Sequence, residues 1–216
     1  YVVSDLHLGS QHSRREAFLA FLDGLPPDAV LVLNGDTIDR PGQAMGVRDV
    51  AVMEELRARR DRERAYIVEG NHDEGDPRVA NIAIPVGRQL QLADRNLLVT
   101  HGDVFHLVRL HHRWFVRSFR CMHRLRVRLG APPVHVAQYA KRWGLFYGYL
   151  RRSVMRNAVE EARQRGVRTV LCGHVHFAEA VESEGVRYIN TGCWTEIPAH
   201  YAEIEPGHAP RLKEWG

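Results

Sequence analysis

The sequence predicts an α/β protein built on a largely parallel sheet. Two observations carry this. Continuously apolar runs of four or five residues recur along the chain, as in strands buried on both faces. Longer stretches with helical apolar spacing lie between them. A third observation bears on chemistry: these runs end in Asp, Asn or His beside a glycine. In open parallel sheets, functional groups collect beyond the carboxyl ends of the strands.

Tyr1-Val2-Val3 opens a strand that runs into Ser4-Asp5-Leu6-His7-Leu8-Gly9. Residues i and i+2 of an extended backbone share a side, so Asp5 and His7 are expected to converge. Residues 13–22 read as a helix capped by Ser13, with Phe18, Leu19 and Leu22 on one side, and Pro26-Pro27 break it. Residues 29–33 form a buried strand ending in Asn34-Gly35-Asp36-Thr37-Ile38-Asp39. A charged amphipathic helix over 47–60 precedes a strand over 65–68, which ends in Glu69-Gly70-Asn71-His72-Asp73.

Residues 88–92 and 96–99 are expected to pair around the turn Ala93-Asp94-Arg95, and the second strand ends in Thr100-His101-Gly102-Asp103. Residues 106–129 are helical by period. Leu107, Leu110, Trp114, Met122, Leu125 and Leu129 form one stripe; Arg109, Arg113, Arg117, Arg120, Arg124 and Arg128 form another. Gly130-Ala131-Pro132-Pro133 end it, and one or two further helices over 134–164 carry Trp143, Phe146, Tyr147 and Tyr149. A strand over 169–172 ends in Gly173-His174-Val175-His176; a hairpin over 178–190 and two short strands in 199–215 complete the chain.

Composition bounds the reading. With 216 residues, 44% hydrophobic and 26% charged, the chain fits one globular domain with room for an inserted subdomain. No apolar run approaches the ~18–20 residues that span a bilayer. The chain opens inside a strand without Met, so a few residues are expected to precede Tyr1. Cys121, Cys172 and Cys193 form no CxxC pair, which argues against a disulfide framework or zinc knuckle and for a reducing compartment, the cytoplasm by default. The net charge of +4 is uneven: residues 104–159 carry twelve Lys or Arg and no Asp or Glu. Such a block faces an anionic partner: a phosphorylated substrate, nucleic acid or lipid headgroups.

Five strand ends supply Asp5, His7, Asp36, Asn71, His101, His174 and His176, too many groups for one octahedral ion. Two divalent metals are expected, with Asp36 the natural bridge. Ligation by His, Asp and Asn without thiolate suits Mn²⁺ first, then Fe or Zn²⁺. Two ions ~3.5–4 Å apart bind the attacking and transferring oxygens of a displacement at phosphorus, so phosphoester hydrolysis is the expected reaction. An imidazole beside a ligand Asn, His72, is placed for acid catalysis. Asp39, Asp73 and Asp103 read as supporting groups or loop caps.

These residues resemble the calcineurin-like metallophosphoesterases, whose motif series is DxH, GD, GNH(D/E), H and GHxH. All five blocks stand in order, as Asp5-Leu6-His7, Gly35-Asp36, Gly70-Asn71-His72-Asp73, His101 and Gly173-His174-Val175-His176. The resemblance implies a four-layer αββα sandwich over 1–216 with a helical cap insertion at about 105–165. It implies one metal on Asp5, His7, Asp36 and His176 and a second on Asp36, Asn71, His101 and His174, with His72 over the phosphate and Asp36 and Asn71 beside it. A helical insert before GHxH resembles the UDP-2,3-diacylglucosamine hydrolases of lipid A synthesis and their relatives, which cleave a pyrophosphate to UMP and a lipid monophosphate. Arg109, Arg113 and Arg117 would then meet substrate phosphates, and the apolar stripe acyl chains or the inner-membrane surface. The best-known subgroup of those hydrolases has Arg where His72 stands, which places this chain among the relatives. The alternatives are a solvated cap helix, a metal-dependent nuclease using the basic helices, and a metal-stabilised scaffold. Against the nuclease, the insert's aromatics read as interior rather than displayed for stacking.

Overall fold

The computed structural model describes residues 1–92, 94, 96–105, 121–131, 134 and 136–216. In chain order the elements are β1 (Val2–Val3), α1 (Arg15–Gly24), β2 (Leu31–Asn34), α2 (Val47–Arg60), β3 (Ala65–Val68), α3 (Val79–Ile82) and β4 (Ile84–Pro85). There follow β5 (Gln89–Leu92), β6 (Leu97–Thr100), a helical run α4 over 121–128, α5 (Val136–Lys141) and α6 (Gly144–Gln164). The chain closes with β7 (Thr169–Cys172), β8 (Glu179–Ser183), β9 (Val186–Asn190), β10 (Ala199–Glu203) and β11 (Arg211–Trp215).

The strands form two sheets, ordered β11-β10-β1-β2-β3-β4 and β5-β6-β7-β9-β8. Each has a parallel centre, β1-β2-β3-β4 and β6-β7-β9, flanked by antiparallel strands. The single, largely parallel sheet read from the alternation is therefore corrected to two mixed sheets. Strand alternation explains why both faces must be covered. Val3 and Leu33 point into a core shared with Phe18, Phe21, Leu22 and Leu56 of α1 and α2. Val2 and Val32 point the other way, against Leu97, Val99, Leu171 and Ile189 of the second sheet. Leu98, Val170 and Cys172 face outward again, onto Val154 and Ala158 of α6. Three apolar layers thus separate two sheets and their outer helices, as each strand's continuous apolar run demands.

Two local expectations change. The first helix starts at Arg15 with Arg14 at its N-cap and no side-chain cap, so Ser13 does not cap it. The alternative to an apolar stripe meeting acyl chains or the interface is a cap helix packed on the core with a solvated Arg face. Over 121–129 Met122, Leu125 and Leu129 are exposed, so that alternative fails for this run. Residues 106–120, with Arg109, Arg113, Arg117 and Arg120, lie outside the described residues, as do Ala93 and Arg95.

Candidate active site

Parallel register brings the polar strand ends to one edge. Val2, Val32 and Tyr66 are aligned across the first sheet, and Leu97, Thr169 and Arg187 across the second. The loops after β1, β2, β3, β6 and β7 therefore open together, with the two sheets each supplying part of the cluster.

The convergence of Asp5 and His7 has a different cause from the expected one. Both lie beyond the strand in the left-handed region, at φ 56° and 48°. Asp36, His174 and His176 share that conformation, at φ 51°, 66° and 53°. A non-glycine residue there costs about 1–3 kcal/mol and persists only where its surroundings over-determine it. Here they do: Asp5 N donates to the Gly35 carbonyl, His7 N to the Asp36 carbonyl, and Trp194 N to the Asp5 carbonyl.

Among the described residues four donor groups form, His7, Asp39 and His72 being one, and two of them hold the expected ligands. In the first, donor atoms of Asp5, His7 and His176 lie within 4.8 Å of one another. His176 Nε2 is 3.1 Å from Asp5 Oδ1 and 3.3 Å from His7 Nε2. Asp39 Oδ1, 3.3 Å from His7 Nδ1, orients that ring. In the second, Asp36, His101 and His174 converge within the same limit. His101 Nδ1 donates to the Asn34 carbonyl at 2.9 Å, which turns Nε2 toward Asp36 Oδ2 at 3.3 Å.

Electrostatics sharpen the picture. Burial opposes charge on Asp5, but His176 and His101 hold its carboxyl at about 2. Burial likewise opposes charge on Asp36, yet His101 keeps it well below the usual carboxylate range. Burial opposes a proton on His101, and Asp36 outweighs it, carrying the imidazole to about 10. The buried carboxylates therefore demand positive charge. Among the described residues, fully buried Asp5 Oδ1 and His101 Nε2 meet no hydrogen-bond geometry with any neighbour. Carboxylate oxygens and imidazole nitrogens, converging and buried, are the donor set of a divalent cation, so the residues fit the expected metals.

Glycines let the blocks interlock. A Cβ on Gly173 would lie 2.5 Å from Asp5 Oδ2 and Ser4 Oγ, where His174 N donates to the same Asp5 oxygen at 3.0 Å. A Cβ on Gly70 would lie 2.4 Å from Asp36 N and Oδ1, where His72 N donates to Oδ1 at 2.9 Å. Asp73 ties the second and third loops by accepting from Thr37 N, Ile38 N and Gly70 N; burial pushes it up to about 6. Asp103 pairs with Arg88.

Above the cluster is a cavity of about 870 Å³. His7, Asp36, Asn71, His72, His174 and His176 line its floor, while Asp5 and His101 lie beneath with no exposure. Asn71 is exposed at the rim. His72 Nδ1 donates to the Asp39 carbonyl at 2.5 Å, leaving Nε2 for the cavity, 3.9 Å from Asp36 Oδ2. Six of the seven expected ligands fall in these donor groups, while Asn71 and His72 line the cavity beside them.

The roof was not anticipated as such: His123, Arg124, Val127 and Arg128 of α4, with Val134, line the same cavity. Their signal was the Arg spacing at 124 and 128, but only tertiary placement turns that spacing toward the floor. Cys193 and Glu196 also lie beside His176, a proximity that no spacing announced. Among the described residues no helix is long and apolar enough to cross a membrane.

No curated protein matches the sequence. Solved structures that align along it include the phosphoesterase YfcE from E. coli, at 17% identity over 95% of this chain and 87% of that one, TM-score 0.48. Another is the Pseudomonas putida nuclease MPE, at 20% identity over 100% and 82%, TM-score 0.47. Zinc-complexed Vps29 from Entamoeba histolytica aligns at 13% identity over 100% and 98%, TM-score 0.49. Likenesses this distant carry no weight in assigning a family. The profile described as calcineurin-like phosphoesterase (Metallophos) does, matching residues 1–178 and with them every block gathered on the cavity floor. The chain belongs to the calcineurin-like phosphoesterases, metal-using hydrolases of phosphoester bonds.

Proposed function

We propose that the protein is a dinuclear metal-dependent phosphodiesterase or pyrophosphatase acting on a nucleotide-linked glycolipid of the UDP-2,3-diacylglucosamine type. The observation that carries the chemistry is the meeting of two buried O/N donor groups on the floor of one cavity, with His72 at its edge. Asp5, His7 and His176 would hold one ion, and Asn71, His101 and His174 the other, with Asp36 shared. Such ions lower the pKa of water and neutralise charge developing on phosphoryl oxygens, with Mn²⁺ the preferred occupant. His101 and His7 are fixed through their Nδ1 atoms by the Asn34 carbonyl and Asp39, so each keeps Nε2 for the site. His72, fixed in the same way by the Asp39 carbonyl, can place a proton at Nε2 over the leaving oxygen.

The lipid part of the reading is supported by α4. Arg124 and Arg128 line the cavity while Leu125 and Leu129 are 55% and 79% exposed. At ~100° per residue the Leu pair lies roughly 100° around the helix from the Arg pair, so an apolar face is exposed beside the cations. An outward apolar face beside cations suits an anionic membrane surface, here the cytoplasmic face of the inner membrane. Nuclease activity is the second reading. Trp143 and Tyr149 are 44% and 56% exposed, which corrects the expectation that the insert's aromatics are interior.

The test is hydrolysis by the full chain reconstituted with Mn²⁺. Bis(p-nitrophenyl) phosphate should turn over, and UDP-2,3-diacylglucosamine should yield UMP. Asp36→Ala and His174→Ala should abolish both reactions, and EDTA should remove activity. Full activity in metal-free protein would overturn the mechanism. Cleavage of DNA or RNA without release of UMP would replace the substrate by nucleic acid.

A further inference from the structure

We infer that the roof of the cavity is a second anion subsite, in which Arg124 and Arg128 bind a phosphate of the substrate other than the one hydrolysed. This rests on the phosphoesterase reading of the floor and narrows the substrate class to nucleotides or nucleotide conjugates with at least two phosphate groups.

Four observations support it. First, Arg124 and Arg128 line the same cavity as Asp36, His174 and His176. A substrate held at the ligand cluster therefore shares that space with two arginines. Second, three cations of the basic segment are engaged: Lys141 pairs with Glu196 at 2.7 Å, Arg151 with Glu179 at 2.5 Å, and Arg126 lies 4.8 Å over the Tyr139 ring. Arg124 and Arg128, like Arg142, Arg152 and Arg156, have no carboxylate partner among the described residues, but of these five only Arg124 and Arg128 line the cavity. Third, they stand at i and i+4, where like charges repel; a shared anion converts that repulsion into a two-pronged grip. Fourth, about 870 Å³ is ample for a nucleotide and far more than one phosphate group needs.

The floor and roof have different tasks. Carboxylates and imidazoles below make the site for metals and the scissile group. Arg forks match phosphate oxygens without touching the bond that breaks. The subsite therefore sets which substrates are accepted and should act on kcat/KM through their second charge.

Two substrates with the same leaving group separate this role from a structural one: thymidine 5′-(p-nitrophenyl phosphate) and its 3′-phosphorylated counterpart. In the Mn²⁺-loaded full chain, kcat/KM should favour the 3′-phosphorylated compound by about tenfold or more, as expected of a charge-assisted contact. That preference should collapse toward unity in Arg124→Ala/Arg128→Ala and be partly kept in the Lys variants. Arg126→Ala, outside the cavity lining, should keep the preference. A second measurement needs no turnover. Thymidine 3′,5′-bisphosphate should bind EDTA-treated full chain, and the double variant should weaken it by about tenfold. UDP-N-acetylglucosamine and the dinucleotide pTpT then distinguish a pyrophosphate from a neighbouring strand phosphate as the source of the second charge; a preference for either that is lost in the double variant supports the subsite. An unchanged substrate ratio and unchanged bisphosphate affinity in the double variant would overturn it. Absence of all hydrolysis in the wild type would instead remove the phosphoesterase reading, and the calorimetric arm would still decide the subsite.

Discussion

Individual residues in this site are held by contacts that their own loops do not supply. Gly173 illustrates the point: it shows no positive φ, yet its missing side chain is what lets Asp5 and Ser4 approach. Gly173→Ala should destabilise the fold by about 1–3 kcal/mol by overpacking and displace Asp5. Urea unfolding and Mn²⁺ titration would check both; undiminished metal affinity would mean that Asp5 can move without loss. His72 makes a different prediction, because its Nδ1 is fixed outside both buried ligand groups. His72→Ala should lower kcat by about 10²–10⁴-fold while Mn²⁺ affinity stays near that of the wild type. A parallel fall in metal affinity would make it a ligand rather than an acid. The glycine-flanked ligand blocks were legible as residues. Their left-handed backbone was not, since Asp and His carry no local signal that forces φ above zero.

Elements position these loops through contacts that cross the chain. Tyr147 of α6 donates to the Val175 carbonyl at 2.5 Å, inside the His174–His176 loop. Arg151, one turn on, pairs with Glu179 and lies 3.9 Å over the Phe177 ring. Tyr147→Phe should therefore cost about 1 kcal/mol of stability, measurable by denaturant titration, and weaken Mn²⁺ binding through the loop it steadies. Unchanged metal affinity would show that Val175 is held well enough by β7 alone. Apart from β4, the strands of both parallel centres were legible because buried apolar runs have few alternatives. Short α3 and β4 were missed, since four and two residues are too few to display a period. The apolar stripe at 122, 125 and 129 was legible as a pattern, but a period does not say which side meets protein.

At the scale of the whole molecule, the site is fed by both sheets, which also share the apolar layer of Val2, Val32, Leu97, Val99, Leu171 and Ile189. Each sheet contributes carboxylate or imidazole donors, so a metal bridging them ties the halves together only in the folded state. Saturating Mn²⁺ should accordingly stabilise the protein by about 2.7 kcal/mol at a hundred times its Kd, read as a rise in Tm that EDTA reverses. No rise would indicate that the donor groups are as well satisfied without ions. The basic segment belongs to this scale too, because its charge faces an anion only once α4 is laid over the cavity.

Alternation of apolar runs with helical periods was enough to establish an α/β protein, and the order of five polar strand ends was enough to establish phosphoester chemistry. Both follow from local rules: burial of both strand faces, and ligand types at strand termini. The motif resemblance already implied two sheets and the pairing of Asp5 with His176 and of Asp36 with His101. Tertiary structure alone decided that the ligand residues take a left-handed backbone and that Arg124 and Arg128 line the cavity. These depend on contacts between loops distant in the chain and on helix placement, and no short-range pattern encodes either.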